Sequence, residues 1–364
     1  MAELLIHQYL TPDFVDKLDD ALSKVYADWN GPHFKGLVYD KEWDDRALKQ
    51  RMSHLAVCLQ RCLPKDYLEA LQILKRVCVH FSGLNGMVFS DFVEQFGKDH
   101  LEESLSALEV FTQYGSAEFA IRPFIVAHEK MVMTKMLEWS VHENFHVRRL
   151  SSEGCRPRLP WAMALPRFKQ DPALILPILE NLKDDPEEYV RKSVANNLND
   201  LTKDNPDRVL ALLRQWNQRP SKRASWIIKH GLRSLVKSGD QRALKLLGFK
   251  RAKIALLNLR IQTPRVVFGE ELVFSFDLRN DGQQEAAVVV DYEIHFMKAN
   301  GNSAPKVFKI KNMRLNKGET VSVEKTHSIR PITTRKYYPG KHKVGIQVNG
   351  KVLGVEEFEL VMEG

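Results

Sequence analysis

Three acidic side chains stand where the surrounding sequence is rich in arginine and lysine. Glu153 lies within RRLSSEGCRPRLPW at 148–161, Asp200 ends VRKSVANNLND at 190–200, and Glu118 occupies the matching turn of an earlier segment. Carboxylates repel phosphate, so in a groove that binds a polyanion they suit a cationic ligand or a cationic transition state. The alternative left open is that each carboxylate only pairs with a neighbouring arginine, such as Arg149 or Arg156.

A second candidate is His142-Glu143-Asn144-Phe145-His146, which spells the H-E-x-x-H pattern of zinc hydrolases. On a helix this spacing places two imidazoles on one face, with a glutamate beside them as a base. The helical pattern instead places these residues in a turn, before a helix that opens near Val147. No third ligand follows at the spacing of the extended motif, so we expect no metal site and no metal cofactor.

Other signatures of enzymes are missing from the sequence. It contains no G-x-S-x-G, no G-x-x-x-x-G-K-[ST], and no G-x-G-x-x-G after a strand. The four cysteines are too few and too irregularly spaced for a disulfide framework, which fits a reducing compartment. No apolar run is long enough to span a membrane, and Glu3, His7 and Asp13 interrupt the place of a signal peptide. We therefore expect a cytoplasmic protein with no membrane partner.

The net charge of +8 is unevenly distributed along the 364 residues. Residues 1–145 hold 15 Lys and Arg against 22 Asp and Glu, a net of −7. Residues 146–250 hold 21 against 11, a net of +10, and residues 251–364 hold 18 against 13, a net of +5. The middle segment is therefore where a polyanion such as nucleic acid would be attracted.

The elements that must position these residues are predicted to be helices up to about residue 250. Apolar residues recur there at helical spacing. Within this region a short pattern is repeated: a turn, then an apolar residue followed by a basic one, then a helix. The apolar residues of the four copies, the last of them looser, are Ile121, Val147, Val190 and Ala224. Their separations of 26, 43 and 34 residues indicate an imperfect helical-hairpin solenoid.

After Lys250 the apolar pattern alternates with period two. Segments such as 272–278, 288–296, 320–323 and 343–348 read as strands, separated by turns that contain Asn-Gly, Lys-Gly or Pro-Gly. About seven short strands in this length suggest an immunoglobulin-like β-sandwich. We thus predict a multidomain α plus β chain, with an all-α repeat solenoid at 1–250 and a sandwich at 251–364.

The stretch from Val147 to Trp161, together with YVRKSVANNLNDLTKDNP at 189–206, resembles the HEAT-like-repeat DNA alkylation repair glycosylases, and specifically their AlkC branch. Some members of this branch carry an immunoglobulin-like C-terminal domain, so the resemblance covers essentially the whole chain. It implies a monofunctional DNA glycosylase that cleaves the N-glycosidic bond of cationic N3-alkylated bases, 3-methylcytosine and 3-methyladenine. It also implies that the protein acts in base excision repair without flipping of the base. The implied reaction needs no cofactor.

The resemblance implies roles for particular residues. Glu118, Glu153 and Asp200 would stabilise the sugar cation or orient water, and Trp161 would lie against the lesion with its π-face toward the cation. The open alternative for Trp161 is a buried packing aromatic. Cations of the repeat region that we expect to contact phosphate are Arg148, Arg149, Arg156, Arg158, Lys192, Lys203, Lys222 and Arg223.

The sandwich offers Arg335 and Lys336 within the basic, tyrosine-containing loop 330–343, which by resemblance would clamp the DNA duplex. The open alternative is a structural module with an exposed basic loop. For the whole protein, the alternative function is a noncatalytic HEAT-repeat scaffold that binds DNA or an acidic protein. The sequence shows no assembly motif, and we expect a monomer whose partner is double-stranded DNA with alkylated bases.

Overall fold

The computed structural model describes residues 8–332 and 335–362, so Thr333 and Thr334 of the basic loop lie outside the described residues. Helices occupy the chain as far as Leu246, and strands follow from Ile254. The predicted order of a helical region and then a strand-rich region is therefore confirmed. No helix among residues 8–332 and 335–362 has the length and apolar character needed to cross a lipid bilayer.

The helices are numbered here in chain order. Those before the first predicted repeat are α1 Pro12–Ser23, α2 Gly31–Val38, α3 Leu48–Cys62, α4 Tyr67–Val77, α5 Gly83–Phe96 and α6 Leu101–Phe111, with a short 3₁₀ helix at Cys78–His80. The next are α7 Ile121–Ala127, α8 Glu129–Trp139, α9 Phe145–Glu153, α10 Pro166–Gln170, α11 Leu176–Leu182 and α12 Glu188–Leu201. The last are α13 Pro206–Trp216, α14 Lys222–Gly231, α15 Arg233–Lys237 and α16 Gln241–Leu246.

Several helices begin where the sequence supplies a capping side chain. Asp66 accepts the backbone N–H of Glu69 at 2.9 Å to start α4, and Asn144 accepts that of His146 at 2.8 Å to start α9. Each cap satisfies a backbone donor that the first helical turn leaves without an internal partner. These caps fix where the chain enters a helix, and hence which residues stand in the turns.

The four predicted repeat copies all coincide with helix starts. Ile121, Val147, Val190 and Ala224 lie in the first turns of α7, α9, α12 and α14, and all four are buried. Helix α9 packs against α12, where the amide of Asn197 donates to the carbonyl of Ser152 at 2.8 Å. The buried apolar residue of each copy therefore anchors one helix in the core.

The strands form two sheets. They are β1 Ile254–Ile261, β2 Arg265–Val267, β3 Glu271–Asn280, β4 Ala286–Met297, β5 Ser303–Leu315, β6 Thr320–Ser328, β7 Gly340–Val348 and β8 Lys351–Val361. The order is β1-β3-β6 in one sheet and β2-β8-β7-β4-β5 in the other. Only β2 and β8 pair in parallel among these strands. Alternate residues of β3, from Leu272 to Leu278, fill the core, as the period of two predicts.

The chain divides into two compact units. The first contains the helices up to Val209 and the segment Gln218–Gly231, and the second contains Leu210–Asn217 and the chain from Leu232 onward. Within the second unit the amide of Gln347 donates to the carbonyl of Lys237 at 2.9 Å, so α15 packs with the strands. All three predicted catalytic carboxylates belong to the first unit.

Candidate active site

The three predicted carboxylates converge, and two arginines link them in a row. Arg149 Nη1 contacts Glu118 Oε2, and Arg149 Nη2 lies 3.5 Å from Glu153 Oε1. Arg156 Nη1 lies 2.6 Å from the same Glu153 oxygen, while its Nε and Nη2 each lie 2.9 Å from Asp200 Oδ2. We call Glu118, Glu153 and Asp200 the carboxylate cluster. The acids therefore gather at one place, as a site for a cationic group requires. Each of them is also paired with an arginine, as the alternative interpretation held.

Two members of the cluster stand at the carboxyl ends of packed helices. Glu153 is the last residue of α9, and Asp200 is the next-to-last residue of α12. The helix dipole places partial negative charge at these ends, which disfavours a carboxylate there. Arg156 lies just beyond α9 and bonds to both acids, so it compensates the two unfavourable positions at once.

Glu118 is positioned by a turn that lies directly on another helix. A Cβ built on Gly115 would come within 2.2 Å of the carbonyl carbon of Gly86 in α5, and one built on Gly86 within 2.7 Å of the Tyr114 carbonyl oxygen. Only two glycines allow the backbones to approach this closely. Ser116 then donates to Glu118 Oε2 and accepts from Arg149 Nη1 at 2.6 Å, which holds the carboxylate toward the row.

The row is largely removed from solvent and keeps an excess of negative charge. Glu153 is 5% exposed and Asp200 is 4% exposed. Burial acts to lower the pKa of Arg149 and of Arg156, but the facing carboxylates outweigh it, so the pKa of each guanidinium is raised. Both arginines are therefore charged, and with three carboxylates the five groups carry a net charge of about −1 when all are ionised. Lys203 stands at the edge, 3.5 Å from Asp200 Oδ1.

A small cavity of about 80 Å³ opens beside this row. It is lined by Gly83, Thr112, Tyr114, Gly115, Ser116, His146, Arg149 and Tyr189. The ring of Tyr189 lies 4.7 Å from the guanidinium carbon of Arg149, which is cation–π distance. Burial, and then the charge of Arg149, lowers the pKa of His146, which favours a neutral imidazole at the cavity wall. The space suits about two or three water molecules.

Trp161 is not a buried packing residue, so that alternative is wrong. Its side chain is 57% exposed. Its backbone φ is +63°, in the left-handed region that bulky residues rarely adopt. The carbonyl of Trp161 accepts a hydrogen bond from Lys49 Nζ at 2.9 Å. The exposed indole is thus available to a ligand in the first unit.

Four of the five repeat-region arginines expected to contact phosphate face acidic side chains instead. Arg148 Nε lies 2.7 Å from Asp185, and Arg158 Nη2 lies 2.6 Å from Asp204. Arg149 and Arg156 belong to the row described above. A guanidinium half-buried against a carboxylate has few N–H groups left for phosphate, and the charge run in the sequence did not reveal these long-range partners. Arg158 is the most accessible of the four, with 35% of its side chain exposed.

The lysines expected to contact phosphate are exposed, as is Arg223. Lys192 pairs with Glu188 one turn earlier at 2.7 Å, which is a weak surface ion pair. Lys222 and Arg223 open α14 and are exposed. Their side chains stand near a helix N-terminus, where backbone N–H groups also attract anions.

In the sandwich, Arg335 and Lys336 lie over aromatic rings. The guanidinium carbon of Arg335 is 3.7 Å from the centroid of the Phe296 ring, and Lys336 Nζ is 5.7 Å from that of Tyr338. With Lys306 they border a concave surface of about 530 Å³. Cations and aromatic faces in one concavity suit a sugar-phosphate backbone with unpaired bases or sugars against the rings.

The basic residue of the repeat has a structural role that the sequence did not reveal. Arg148 Nη1 donates to the carbonyls of His142 and Glu143 at 2.9 and 2.7 Å. Arg191 Nη1 donates to those of Asp185 and Pro186 at 2.8 and 2.6 Å. Each arginine therefore closes the turn that precedes its helix, by bonding to the carbonyls five and six residues before itself. The same spacing in both copies was the sequence signal for this role.

The H-E-x-x-H residues straddle a helix start. Asn144 caps α9, His142 lies before it, and His142 Nδ1 accepts the N–H of Asn144 at 2.9 Å. The two imidazoles therefore do not share one face of a helix, as the turn prediction required. Within the described ranges, no group of three or more His, Cys, Asp or Glu side chains is arranged to hold a metal ion.

Four residues at the site escaped the sequence reasoning: Lys49, Ser116, Arg122 and Tyr189. Lys49 and Arg122 act through backbone carbonyls far along the chain, which no local pattern reveals. Ser116 and Tyr189 flank recognised residues, and their proximity to Glu118 and to the Val-Arg pair was the available signal.

Two family models match the chain. The first, described as "DNA alkylation repair enzyme", matches residues 98–235, which contain the whole carboxylate cluster. The second, described as "Uncharacterised protein YhaZ, C-terminal Ig-like domain", matches residues 255–362. The strand-rich region is thus an immunoglobulin-like domain.

Two individual proteins match almost the whole chain. The protein YhaZ of Bacillus subtilis (strain 168) is 44% identical over 350 residues, which cover 96% of this chain and 97% of YhaZ. The structure of the alkylpurine DNA glycosylase AlkC of Pseudomonas fluorescens, bound to DNA containing an abasic site analog, superposes with a TM-score of 0.91. It is 38% identical, and the match covers 96% of this chain and 97% of that one. The chain therefore belongs to the HEAT-like-repeat DNA alkylation repair glycosylase family, in the AlkC branch with a C-terminal immunoglobulin-like domain.

Proposed function

We propose that the protein is a monofunctional DNA glycosylase that hydrolyses the N-glycosidic bond of cationic N3-alkylated bases, 3-methylcytosine and 3-methyladenine, in duplex DNA. One observation carries the proposal: Glu118, Glu153 and Asp200 converge in one row, in which the three carboxylates exceed the two linking arginines by one charge, with Lys203 at the edge beside Asp200. The similarity to a DNA-bound alkylpurine glycosylase supports the same reaction class.

The chemistry follows from where charge develops. An alkylated base already bears positive charge, so its departure requires no general acid and leaves an oxocarbenium-like sugar. Fixed carboxylates stabilise that sugar cation in a site from which water is mostly excluded. A carboxylate also orients the attacking water and accepts its proton as the new C–O bond forms. No metal or organic cofactor takes part in this proposal.

The arginines of the row are proposed as positioning residues and not as phosphate contacts. Arg149 and Arg156 hold three acids close together, which mutual repulsion would otherwise oppose. Their own charges are already matched by carboxylates. Phosphate contacts are assigned instead to the exposed cations Lys192, Lys203, Lys222 and Arg223. The immunoglobulin-like domain adds exposed Lys336 and half-buried Arg335.

Trp161 is proposed to lie against the lesion. Its exposed indole offers a π-face that attracts a cationic base or a cationic sugar. The cavity beside Arg149 is about 80 Å³, whereas a single benzene ring occupies an engineered cavity of roughly 150 Å³. A nucleobase does not fit inside it, which supports excision without insertion of the base into this pocket.

The test is release of free base from a defined lesion. Duplex oligonucleotides with a single 3-methylcytosine or 3-methyladenine are incubated with the protein in EDTA, and the released base is measured by mass spectrometry. We expect release by the unaltered protein and by Asp204→Asn, and none by Asp200→Asn. Absence of release by the unaltered protein would leave the noncatalytic DNA-binding scaffold as the function, and loss only in EDTA would point to a metal.

We also propose that the protein acts as a monomer on DNA and that it works in the cytoplasm. Analytical ultracentrifugation with and without duplex DNA checks the first, because one protein per lesion-containing duplex is expected.

A further inference from the structure

The loop that carries Trp161 is strained, and burial of its side chain does not hold it. A bulky non-glycine residue at φ +63° is disfavoured relative to an ordinary backbone conformation, because its Cβ approaches the following carbonyl oxygen. Trp161 is 57% exposed, so its indole gains little from packing in the core. Such a conformation persists only where surrounding contacts fix the backbone.

Two cations fix this backbone through carbonyl oxygens. Fully buried Arg122 donates to Gly154, Arg156 and Met163 at 2.8, 2.9 and 2.7 Å, which ties both ends of the loop. Lys49 donates to the carbonyl of Trp161 itself at 2.9 Å. Of these two cations, Lys49 therefore contacts the strained residue directly.

Lys49 is itself held in place from several directions. It stands near the start of α3, 112 residues before Trp161. Its ammonium lies 4.4 Å from the centroid of the Phe119 ring, and Phe119 directly follows Glu118. Burial raises the pKa of Asp91 and of Glu94, and the positive charge of Lys49 opposes that rise in both. Lys49 thus joins the Trp161 loop to the turn that presents Glu118.

We propose that Lys49 is a positioning residue of the reaction: it holds the Trp161 backbone in the left-handed conformation and sets the indole against the turn of Glu118. This inference rests on the proposed glycosylase function. Lys49 touches neither substrate nor reacting atoms in it. Its effect on the rate passes through Trp161.

The first test is a double-mutant cycle. Lys49→Met preserves the length and packing of the side chain and removes its N–H donors. Single-turnover release of 3-methylcytosine by Lys49→Met is expected to fall on the order of tenfold, because small displacements of a positioned group are costly. In a Trp161→Phe background the same change should cost less than about twofold. An equal loss in both backgrounds overturns the proposal. Lys65→Met, an exposed lysine elsewhere in the same unit, is the matched control for charge.

The second test does not require activity. The protein is labelled with 5-fluorotryptophan, and the ¹⁹F resonance of Trp161 is assigned from its absence in Trp161→Phe. Lys49→Met should shift or broaden this resonance and leave the other five tryptophan resonances in place, whereas Lys65→Met should leave all six unchanged. An unmoved Trp161 resonance overturns the proposal. Failure of the unaltered protein to release base refutes the glycosylase function instead, and the two failures are thereby distinguished.

Discussion

Arg156 and Asp200 meet across 44 residues of sequence, with 2.9 Å between Nε and Oδ2. Asp200 is 4% exposed and Arg156 is 7% exposed, so the pair is almost withdrawn from water. Arg156 sets a charged donor against this buried carboxylate. The pair therefore fixes the Asp200 carboxylate at the place where the sugar cation is proposed to form.

Neutralising Asp200 should abolish catalysis and spare binding. Asp200→Asn preserves the size of the side chain and removes its charge. We expect base release to fall by at least roughly 10²-fold, the usual cost of a lost electrostatic stabiliser. Affinity for duplex DNA with an abasic site analog should stay equal or rise, since one repulsive charge is removed. Single-turnover kinetics and fluorescence anisotropy check the two statements.

Asp204→Asn is the matched control for this variant. Asp204 pairs with Arg158 at 2.6 Å near the end of the same helix, outside the carboxylate cluster. Its neutralisation should change base release less than about threefold, because exposed ion pairs contribute little. A large affinity loss in Asp200→Asn would contradict the catalytic assignment.

Removing Arg156 should lower the stability of the fold around Glu153 and Asp200. Arg156→Gln leaves Glu153 and Asp200 buried without their shared cation, which we expect to lower the free energy of unfolding by about 3 kcal/mol. Adding Asp200→Asn should restore at least about 1 kcal/mol of that loss. Urea denaturation of the single and double variants measures both. Additive destabilisation would show that the pair is not coupled.

Salt dependence should separate phosphate contacts from structural arginines. Alanine at Lys222 and Arg223 should lower the slope of log Kd against log salt by roughly one for each lost contact. Arg148→Ala should leave the slope unchanged and lower the unfolding midpoint, because Arg148 closes a turn and pairs with Asp185. Anisotropy titrations at several salt concentrations provide the slopes, with Lys65→Ala as the control. An unchanged slope for the α14 variants would remove them from the interface.

Glycine at position 161 should separate stability from activity. Trp161→Gly relieves the left-handed strain, and we expect the free energy of unfolding to be unchanged or raised by up to about 1 kcal/mol. Base release should nevertheless fall at least tenfold, as the π-face is gone. Thermal denaturation and single-turnover kinetics are the measurements. A fall in stability together with activity would mean that the indole packs the loop.

Acid should weaken the immunoglobulin-like domain in part through His327. Burial, and then the charge of Arg335, lowers the pKa of His327 to about 4, and His327 Nδ1 lies 2.8 Å from the hydroxyl of Tyr292. A histidine pKa depressed by folding contributes stability that is complete above the unfolded value of about 6.5 and is lost as the pH falls toward 4. We expect a loss of about 2 kcal/mol over that window. Hydrogen-exchange protection in β3 and β6 should fall accordingly, and His327→Gln should flatten the dependence.

The helices and strands were predictable because their signals are local. Periodicity placed the first helical turns at Ile121, Val147 and Val190, and the period-two pattern placed β3 and β4. Glu153 and Asp200 came together because each stands at the carboxyl end of a repeat helix and the two helices pack together, whereas Glu118 stands before its helix and joins them through Arg149. These features depend on residues that lie within a turn or two of one another.

The partners of the arginines were not predictable in the same way. Arg148 meets Asp185 across 37 residues and Arg158 meets Asp204 across 46, and the charge count alone treated all of them as free cations. Lys49 belongs to a net acidic segment that carried no recognisable motif. Such pairings are decided by how packed helices bring distant side chains together, which composition does not encode.

The close contact between Gly86 and Gly115 would make substitutions at either position look like losses of catalysis in a genetic screen. No side chain fits at either position without moving the turn that presents Glu118. In a random-mutagenesis screen scored only by survival of methylated cells, Gly86 would therefore be grouped with the catalytic acids, although it offers no functional group. The intolerance of Gly86 to substitution would reflect the short distance between the two backbones. A map of such sites would identify residues that support the active centre, and not residues that take part in its chemistry.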